Sequence, residues 1–307
     1  MRVTVVGSGF VGATTAMRVV QKGLADVVLI DIIEGLPQGV ALDMRESSPV
    51  EAFEPNITGT NDYKDTAGSD VVVITAGLPR QPGMSRMDLL EKNAGIIRDV
   101  VNNTPSESPD AIIIVVTNPL DEMTFLAAQT SGFPKERVMG MAGVLDSSRL
   151  RYFIAEELDA SPRDVEAMTL GSHGESMVPL PRHATVNGKP LTELADDATL
   201  ERLFQRTRDA GAEIVALLKK GSAYYAPSAS IAQMVNAIAG DTKEMLPVCA
   251  WCTGQYGIEG VYVGVPAKLG TAGVEEIVEL DLSDQELAQL REAAEGIRAK
   301  CADLEKV

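Results

Sequence analysis

The chain has 307 residues, and its 44 acidic and 27 basic side chains give a formal net charge of −17. Such a negative chain is poorly suited to bind nucleic acid or an anionic membrane. The longest strongly apolar run covers residues 111–116, too few to span a bilayer, so we expect no membrane segment.

Three cysteines in a chain of this length argue against a disulfide framework and fit a reducing cytoplasm, where we expect the protein to reside. Cys249 and Cys252 form a C-x-x-C pair within a predicted buried strand, in which positions i and i+3 face opposite sides. No second pair completes a zinc site, so we expect no metal. The acids appear in predicted surface helices, for example at Glu275, Glu276 and residues 284–295. A solvated surface and adaptation to a salt-rich cytoplasm both remain open.

The first thirty residues predict a strand, a glycine turn, a helix, a second strand and an acid. Residues 3–6 favour a strand, residues 13–22 a helix, and residues 27–30 an apolar strand that ends at Asp31. The turn reads GSGFVG from position 7 to position 12. In this context Gly-x-Gly-x-x-Gly is typical of a dinucleotide site.

Each glycine of that motif has a physical task, and so has the acid that follows the second strand. We expect Gly7 to make the tight turn, Gly9 to let a pyrophosphate approach the backbone, and Gly12 to let the helix pack closely. The helix N-terminus presents free N–H groups to the phosphates. Asp31 would accept hydrogen bonds from the ribose hydroxyls and repel a 2′-phosphate, which favours NAD over NADP.

Strands and helices alternate up to about residue 140, which predicts a doubly wound parallel sheet, the Rossmann type of α/β domain, over residues 1–143. After the opening unit, the predicted elements are a helix at 35–45, strands at 56–60 and 70–75, a helix at 86–101 capped by Ser85, a strand at 110–116, a helix at 120–130 and a strand at 137–139. Ligands of such sheets bind beyond the carboxyl ends of the strands, where Asp31, Gly77 and Asn118 lie.

The pattern changes in residues 144–307, for which we predict an α+β domain that binds substrate and carries the catalytic groups. Helices and antiparallel strands are mixed there. We predict helices at about 145–158, 198–220, 228–239 and 283–304, strands at 164–171, 247–253 and 260–268, and a hairpin from 184 that turns at Gly188.

His173 is the best candidate for acid–base chemistry, because the chain has only two histidines. It follows a predicted strand end between two glycines, where a ligand finds room. Hydride transfer to a carbonyl needs a proton donor that titrates near neutrality. Asp146 could fix its tautomer, and Arg149 shares a helix face with Asp146. The alternative is a structural histidine, an acid at a helix start and a surface arginine. The other histidine, His183, is expected in a surface segment.

Arg80 and Arg86 lie in a loop, residues 76–86, that contains two prolines and two glycines. Long loops after sheet strands are often mobile lids, and arginine forks match carboxylates. Both arginines could close over an anionic substrate, although two solvated loop charges are the plainer interpretation.

These motifs together resemble the lactate/malate dehydrogenase family over nearly the whole chain. The resemblance is greatest to the bacterial malate dehydrogenases that are similar to lactate dehydrogenases. It implies that His173 is the acid–base group and Asp146 its partner. Arg149 would bind the C1 carboxylate of the substrate, and Arg86 would polarise the reacting carbonyl. Further implied cofactor and substrate residues are Asn93, Thr117 and Asn118, the last contacting both ligands.

The resemblance also implies a substrate class. Arg80 occupies the position at which lactate enzymes carry glutamine, so a dicarboxylate is favoured over pyruvate. Ala223 matches a position where malate enzymes have a small residue. The implied reaction is reversible NAD-dependent oxidation of (S)-malate to oxaloacetate, in a homodimer or a homotetramer. The alternatives are an L-lactate dehydrogenase and an NAD(H)-binding module without chemistry.

One motif departs from the family pattern. The sequence reads Gly-Ser-His-Gly-Glu-Ser from position 171 to 176, where relatives commonly have Gly-Gly-His-Gly-Asp-Ser. Because Ser172 and Glu175 keep the polarity of this segment, we expect adjusted packing and retained chemistry.

Overall fold

A computed structural model describes residues 1–54, 56–79 and 85–306, and for Arg86, Glu305 and Lys306 it describes the backbone alone. In this part of the chain, none of the helices combines the length and apolar character that a membrane span requires.

The first half of the chain alternates strand and helix, as the sequence predicts. Its elements are β1 (Arg2–Val6), α1 (Phe10–Gln21), β2 (Asp26–Ile30), α2 (Leu36–Glu51), β3 (Ile57–Thr60), β4 (Val71–Ile74), α3 (Arg86–Glu107), β5 (Ile112–Val115), α4 (Leu120–Ser131) and β6 (Val138–Gly140). The six strands are parallel in the order β3-β2-β1-β4-β5-β6. This is the order of a doubly wound dinucleotide-binding sheet.

The second half mixes helices with antiparallel strands. Its elements are α5 (Gly143–Glu157), β7 (Val165–Glu166), β8 (Thr169–Gly171), β9 (Met177–Pro179), β10 (Thr185–Val186), β11 (Lys189–Pro190), α6 (Leu191–Leu194), α7 (Asp197–Leu218), α8 (Tyr225–Ala239), β12 (Glu244–Thr253), β13 (Glu259–Gly270), β14 (Gly273–Ile277) and α9 (Asp284–Cys301). Antiparallel pairing continues the main sheet through β12, β13, β8 and β9. The predicted fold class, a Rossmann sheet followed by an α+β part, is confirmed.

The main sheet is buried on both faces, so its central strands are continuous apolar runs. The residues of β4 and β5 are all buried. Val5 packs in one core cluster with Val19 of α1 and Ile231 of α8. Val6, the next residue, packs in a second cluster with Ile97 of α3. Alternate side chains therefore join helical layers on the two sides of the sheet.

The cysteine pair lies as predicted on one buried strand, β12. Cys249 and Cys252 are both fully buried and belong to different core clusters, so their side chains face opposite sides of the sheet. All three cysteines are free thiols.

The single strand predicted over residues 164–171 is wrong. The structure divides it into β7, which pairs with β10 in a small three-stranded sheet, and β8, which pairs with β9 and β13 in the main sheet. Val165 of β7 and all residues of β8 are buried, but the two pieces pair with different strands. Partner choice is a long-range property that a local pattern does not contain.

The assignment of Glu275 and Glu276 to a helix surface is also wrong, because both lie in β14. Their carboxylates form ion pairs with lysines of neighbouring segments, Lys243 for Glu275 and Lys268 for Glu276. Pairing with opposite charges on neighbouring segments stabilises these acidic residues in a strand. The acids from residue 284 onward do lie on a helix, α9, whose N-cap Ser283 forms a capping box with Glu286.

Candidate active site

Three loops meet at the carboxyl edge of the parallel sheet. The strand β1 lies between β2 and β4, and β4 pairs in turn with β5. The register places Val6 beside Ile74 and Ile74 beside Val115. The loops that follow these strands therefore start at the same level. They bring the glycine turn, the Gly77 segment and Asn118 to one edge of the sheet.

The glycine turn is closely packed at two of its glycines and open at the third. Gly7 has a φ of +102°, and a Cβ on Gly12 would lie 1.8 Å from the carbonyl oxygen of Gly7. No atom lies within 4 Å of the Cβ position of Gly9. The turn thus needs glycine at its two ends for internal reasons and leaves free space at its centre.

The helix after this turn begins three residues earlier than the predicted start at Ala13. The helix α1 starts at Phe10 with Gly9 as its N-cap, and no side chain caps its N–H groups. The prediction missed this because glycine and aromatic residues are weak helix formers, whereas the absence of a Cβ on Gly12 lets the first turn form against Gly7. The uncapped N–H groups are free to bind an anion.

Asp31 is tied to the glycine turn by its carboxylate. Oδ2 accepts a hydrogen bond from the N–H of Ser8 at 2.7 Å, and Oδ1 accepts one from the N–H of Ile33 at 3.0 Å. The carboxylate is consequently held in one orientation at the end of β2, half-buried and within reach of solvent.

His173, Asp146 and Arg149 form one connected group. His173 Nδ1 lies 2.9 Å from Asp146 Oδ2, and Arg149 Nη1 donates to Asp146 Oδ1 at 3.4 Å. The carboxylate side chain is 2% exposed, whereas the imidazole is 20% exposed. The acid is therefore shielded from water, and the imidazole keeps a face that a ligand can reach.

The surroundings of His173 favour its protonated form. Burial by itself lowers the pKa of the imidazole, but the charge and hydrogen bond of Asp146, together with the charge of Asp121, outweigh burial and the repulsion from Arg149. The pKa of His173 is therefore raised above its ordinary value. With Nδ1 engaged by Asp146, Nε2 is the nitrogen left to exchange a proton with a substrate.

Arg149 has unused hydrogen-bonding capacity. Its side chain is 13% exposed, and its buried Nε has no hydrogen-bond partner in the described chain. Burial lowers the pKa of the guanidinium, while Asp146 partly opposes this change. A buried donor without a partner is costly, so this arginine is suited to an anion that supplies the missing acceptor.

These features fit a bound dinucleotide. The N-terminus of α1 offers uncapped N–H groups for a pyrophosphate, the space beside Gly9 admits it, and Asp31 presents an oriented carboxylate to a ribose.

Comparison with known proteins agrees with this geometry. Residues 1–140 match the profile described as lactate/malate dehydrogenase, NAD binding domain, and residues 143–307 match its alpha/beta C-terminal domain. The chain belongs to the lactate/malate dehydrogenase family. The predictions of this family and of NAD as the cofactor are confirmed.

Individual relatives of this family match almost end to end. A malate dehydrogenase of Nostoc punctiforme is 56% identical over 97% of this chain and 91% of its own length. The structure of a malate dehydrogenase from Salinibacter ruber has a TM-score of 0.95 and 52% identity, covering 100% of this chain and 98% of its own. A lactate dehydrogenase of Cryptosporidium parvum, complexed with lactic acid and nicotinamide adenine dinucleotide, has a TM-score of 0.96 and 41% identity, with coverage of 100% and 98%.

Asn93 holds the carboxyl-edge loops together. Its Oδ1 accepts from the N–H of Leu78 at 2.8 Å, and its Nδ2 donates to the carbonyl oxygens of Leu78 at 3.1 Å and of Asn118 at 2.6 Å. The side chain is 1% exposed. These bonds to backbone suit a residue that positions the loops around a cofactor.

Thr117 and Asn118 differ in how they face the site. Thr117 is buried, and its hydroxyl donates to the carbonyl oxygen of Ala76 at 2.7 Å. Asn118, three residues after the end of β5, is exposed. Ala223, just before α8, is half-buried.

The side chains of the two loop arginines are not described by the structure. Arg80 lies outside the described residues, and Arg86 is described only as the first residue of α3. The predicted cap is present: Ser85 and Asp88 form a capping box at the start of α3.

The other histidine, His183, directs Nε2 to the carbonyl oxygen of Asp281 at 2.9 Å.

Two residues next to His173 are not among the site residues that the sequence predicts. Asp121 of α4 and Ser172 are both buried, and Ser172 Oγ donates to Asp121 Oδ2 at 2.6 Å. Ser172 was visible as a departure from the family motif. Asp121 had only its position shortly after Asn118 as a signal. Within the described ranges, no three His, Cys, Asp or Glu side chains are grouped so that they could hold a metal ion.

Proposed function

We propose that the chain is an NAD-dependent malate dehydrogenase, which oxidises (S)-malate reversibly to oxaloacetate. The observation that supports this proposal is the connected group of His173, Asp146 and Arg149. Asp146 holds the imidazole at Nδ1, and the guanidinium of Arg149 has a buried Nε without a hydrogen-bond partner in the described chain. Relatives that cover the chain and are more than half identical to it are named malate dehydrogenase.

The residues divide the work of oxaloacetate reduction as follows. NADH supplies a hydride when it is bound. His173 donates a proton from Nε2 to the carbonyl oxygen of the substrate, while Asp146 stabilises the imidazolium and fixes its orientation. Arg149 binds the C1 carboxylate through its fork of N–H groups. In malate oxidation the same imidazole accepts the hydroxyl proton.

We further propose roles for the loop residues on the basis of the sequence. Arg86 polarises the reacting carbonyl and stabilises the developing oxyanion. Arg80 binds the second carboxylate, and in a closed site it would be left unpaired by pyruvate, which disfavours the smaller substrate. Asn118 donates to the substrate and contacts the nicotinamide side of the cofactor. Ala223 leaves room in the pocket.

The cofactor residues follow the same proposal. Gly7, Gly9 and Gly12 form the pyrophosphate turn, Asp31 binds the adenosine ribose, and the carboxyl-edge loops are set by further residues, namely Asn93, Thr117 and Asn118. Residues 1–143 act as the NAD-binding domain, and residues 144–307 as the domain that supplies the acid–base pair and Arg149.

L-lactate dehydrogenase is the nearest alternative, since lactate dehydrogenases share the fold at 41% identity. An NAD(H)-binding module without chemistry would leave the braced histidine and the buried arginine without a role. One assay separates the three: NADH oxidation followed with oxaloacetate and, in parallel, with pyruvate. We expect fast turnover with oxaloacetate. Turnover with pyruvate alone would favour the lactate enzyme, and NADH binding without turnover would favour the module.

We propose that the protein is a homodimer or a homotetramer located in the cytoplasm. Exposed apolar side chains on α2, including Leu42 and Val50, support a covered helix face, and the free thiols fit a reducing compartment. Light scattering of the purified protein distinguishes the oligomers from a monomer, and cell fractionation tests the location.

A further inference from the structure

The loop of His173 is held from a second helix besides α5. Asp121, in the first turn of α4, is 2% exposed. Its Oδ2 accepts a hydrogen bond from Ser172 Oγ at 2.6 Å and another from the backbone N–H of His173 at 3.2 Å. A single carboxylate oxygen therefore contacts both the residue before the imidazole and the backbone that carries it.

We propose that Asp121 and Ser172 are positioning residues for His173, in which one ionised carboxylate oxygen fixes the backbone of the histidine and adds a second negative charge beside its ring. Asp146 braces the imidazole at Nδ1, and Asp121 braces the same residue at its main chain. This inference rests on the proposed function for its catalytic consequence, but not for its structural content.

The hydrogen bonds at Oδ2 favour the ionised form of Asp121. Both groups that contact Oδ2 act as donors, and 2.6 Å is the length expected for a hydroxyl that donates to a carboxylate. Burial raises the pKa of Asp121, and the charge of Glu122 raises it further. The hydrogen bond of Ser172 is the largest opposing effect. The hydrogen bond of Ser172 therefore favours the charged form of a carboxyl group that burial shifts toward the neutral form.

The other neighbours of the pair do not supply a competing positive charge. Two cysteines face Asp121, one on β12 and one on α9. Burial raises the pKa of Cys249 well above its ordinary value and that of Cys301 to about 12, so both thiols are neutral near pH 7. The Cys249 thiol also hydrogen-bonds to the Asp121 carboxylate, which lowers the pKa of Asp121 and raises that of the thiol. Among the neighbours of Asp121 named above, only His173 can carry a positive charge.

Around His173 itself, α5 contributes Asp146 and Arg149, and α4 contributes Asp121. Both carboxylates favour the imidazolium, and the guanidinium opposes it. The position that departs from the family motif, Ser172, acts on this balance through Asp121. Removing the hydroxyl should raise the neutral fraction of Asp121 and so weaken its effect on the imidazole.

The test is an NMR titration of the protein labelled with ¹³C at histidine Cε1. The chain has two histidines, so two resonances are expected, and His183 serves as an internal reference. We expect Asp121→Asn to lower the pKa of His173 by about half a unit to one unit. Ser172→Ala should lower it by less, and it should cause no further change in the Asp121→Asn background. The pKa of His183 should stay constant throughout.

Glu175→Gln is the matched control, since this exposed carboxylate lies two residues from His173 and its charge is screened by solvent. It should leave the titration of His173 unmoved. If the pKa of His173 were unchanged in Asp121→Asn, the proposed role of Asp121 would be contradicted. An unchanged pKa in Ser172→Ala would contradict the role of Ser172. An effect of Ser172→Ala that persists fully in the Asp121→Asn background would show that the hydroxyl acts independently.

Kinetics keep this inference separate from the proposed function. In each variant, the pH at which kcat/KM for oxaloacetate falls should move by the same amount as the NMR pKa of His173. If the native protein did not reduce oxaloacetate, the proposed function would fail, while the titration would still test the brace. Native turnover with an unmoved pH profile in Asp121→Asn would contradict the brace alone.

Discussion

Oδ2 of Asp146 lies 2.9 Å from Nδ1 of His173, and the two residues are brought together from α5 and from the loop after β8. The carboxylate is nearly inaccessible to water, whereas the imidazole keeps one exposed face. This pairing fixes which ring nitrogen meets the substrate and favours the proton on the ring. The acid–base role that we propose for His173 depends on this pairing.

Replacement of His173 with Asn should remove the proton donor and leave the cofactor site intact. We expect kcat for oxaloacetate reduction to fall about 10²- to 10⁴-fold. Binding of NADH, followed by its fluorescence, should be close to native because the glycine turn and Asp31 are unchanged. His183→Asn is the control and should keep native turnover. A His173→Asn variant with nearly native kcat would refute the assignment.

The raised pKa of His173 sets the direction of the pH dependence. Reduction needs the imidazolium, so kcat/KM for oxaloacetate should be constant at low pH and fall as the pH rises through the pKa of His173. Malate oxidation should show the opposite trend. Asp146→Asn removes the charge that opposes burial, so the fall should begin at lower pH. A profile that stays in place in this variant would contradict the pairing.

The same pKa shift links pH to stability. The pKa of His173 in the folded state is raised above its unfolded value of about 6.5. The stabilisation that the His173–Asp146 pair gives the fold is therefore complete below about pH 6.5. This contribution is lost as the pH rises through the folded pKa. Thermal melting of native protein and of His173→Asn should therefore differ more at pH 6 than at pH 9. An equal difference at both values would argue against a raised pKa.

Gly12 and Gly9 provide a matched pair of substitutions in the cofactor turn. Gly12→Ala should destabilise the fold by about 1–3 kcal/mol, since its Cβ would lie 1.8 Å from the carbonyl oxygen of Gly7. Gly9→Ala should melt like the native protein because the space around its Cβ is free. It should nevertheless weaken NADH binding, because the methyl group occupies the approach of the pyrophosphate. Native NADH affinity in Gly9→Ala would place the phosphates elsewhere.

Arg149→Lys tests whether the guanidinium binds the substrate carboxylate. Lysine keeps the charge but loses the two-pronged geometry and the buried Nε donor. We expect KM for oxaloacetate to rise about 10- to 100-fold, which corresponds to the loss of one charged hydrogen bond. Arg202→Lys, at an exposed pair with Glu157, is the control and should leave KM unchanged. A native KM in Arg149→Lys would exclude direct carboxylate binding.

The sequence predicts the local features of this fold well. The glycine turn, the cap at Ser85 and the apolar strands of the parallel sheet each follow from neighbouring residues. The division of residues 164–171 between two sheets does not, since it depends on distant partners. The contact between Asp121 and Ser172 joins residues 51 positions apart, so spacing gives no sign of it. The two residues meet only because the fold packs the start of α4 against the loop that follows β8.

Substrate choice gives the most direct test of the proposed reaction. Native protein should oxidise NADH much faster with oxaloacetate than with pyruvate, and Arg80→Gln should lose most of this preference because the second carboxylate no longer meets a cation. The ratio of kcat/KM for the two substrates, measured in both proteins under the same conditions, is the decisive quantity. A native protein that prefers pyruvate, or an Arg80→Gln variant that keeps the full preference for oxaloacetate, would contradict the mechanism of specificity proposed for this chain.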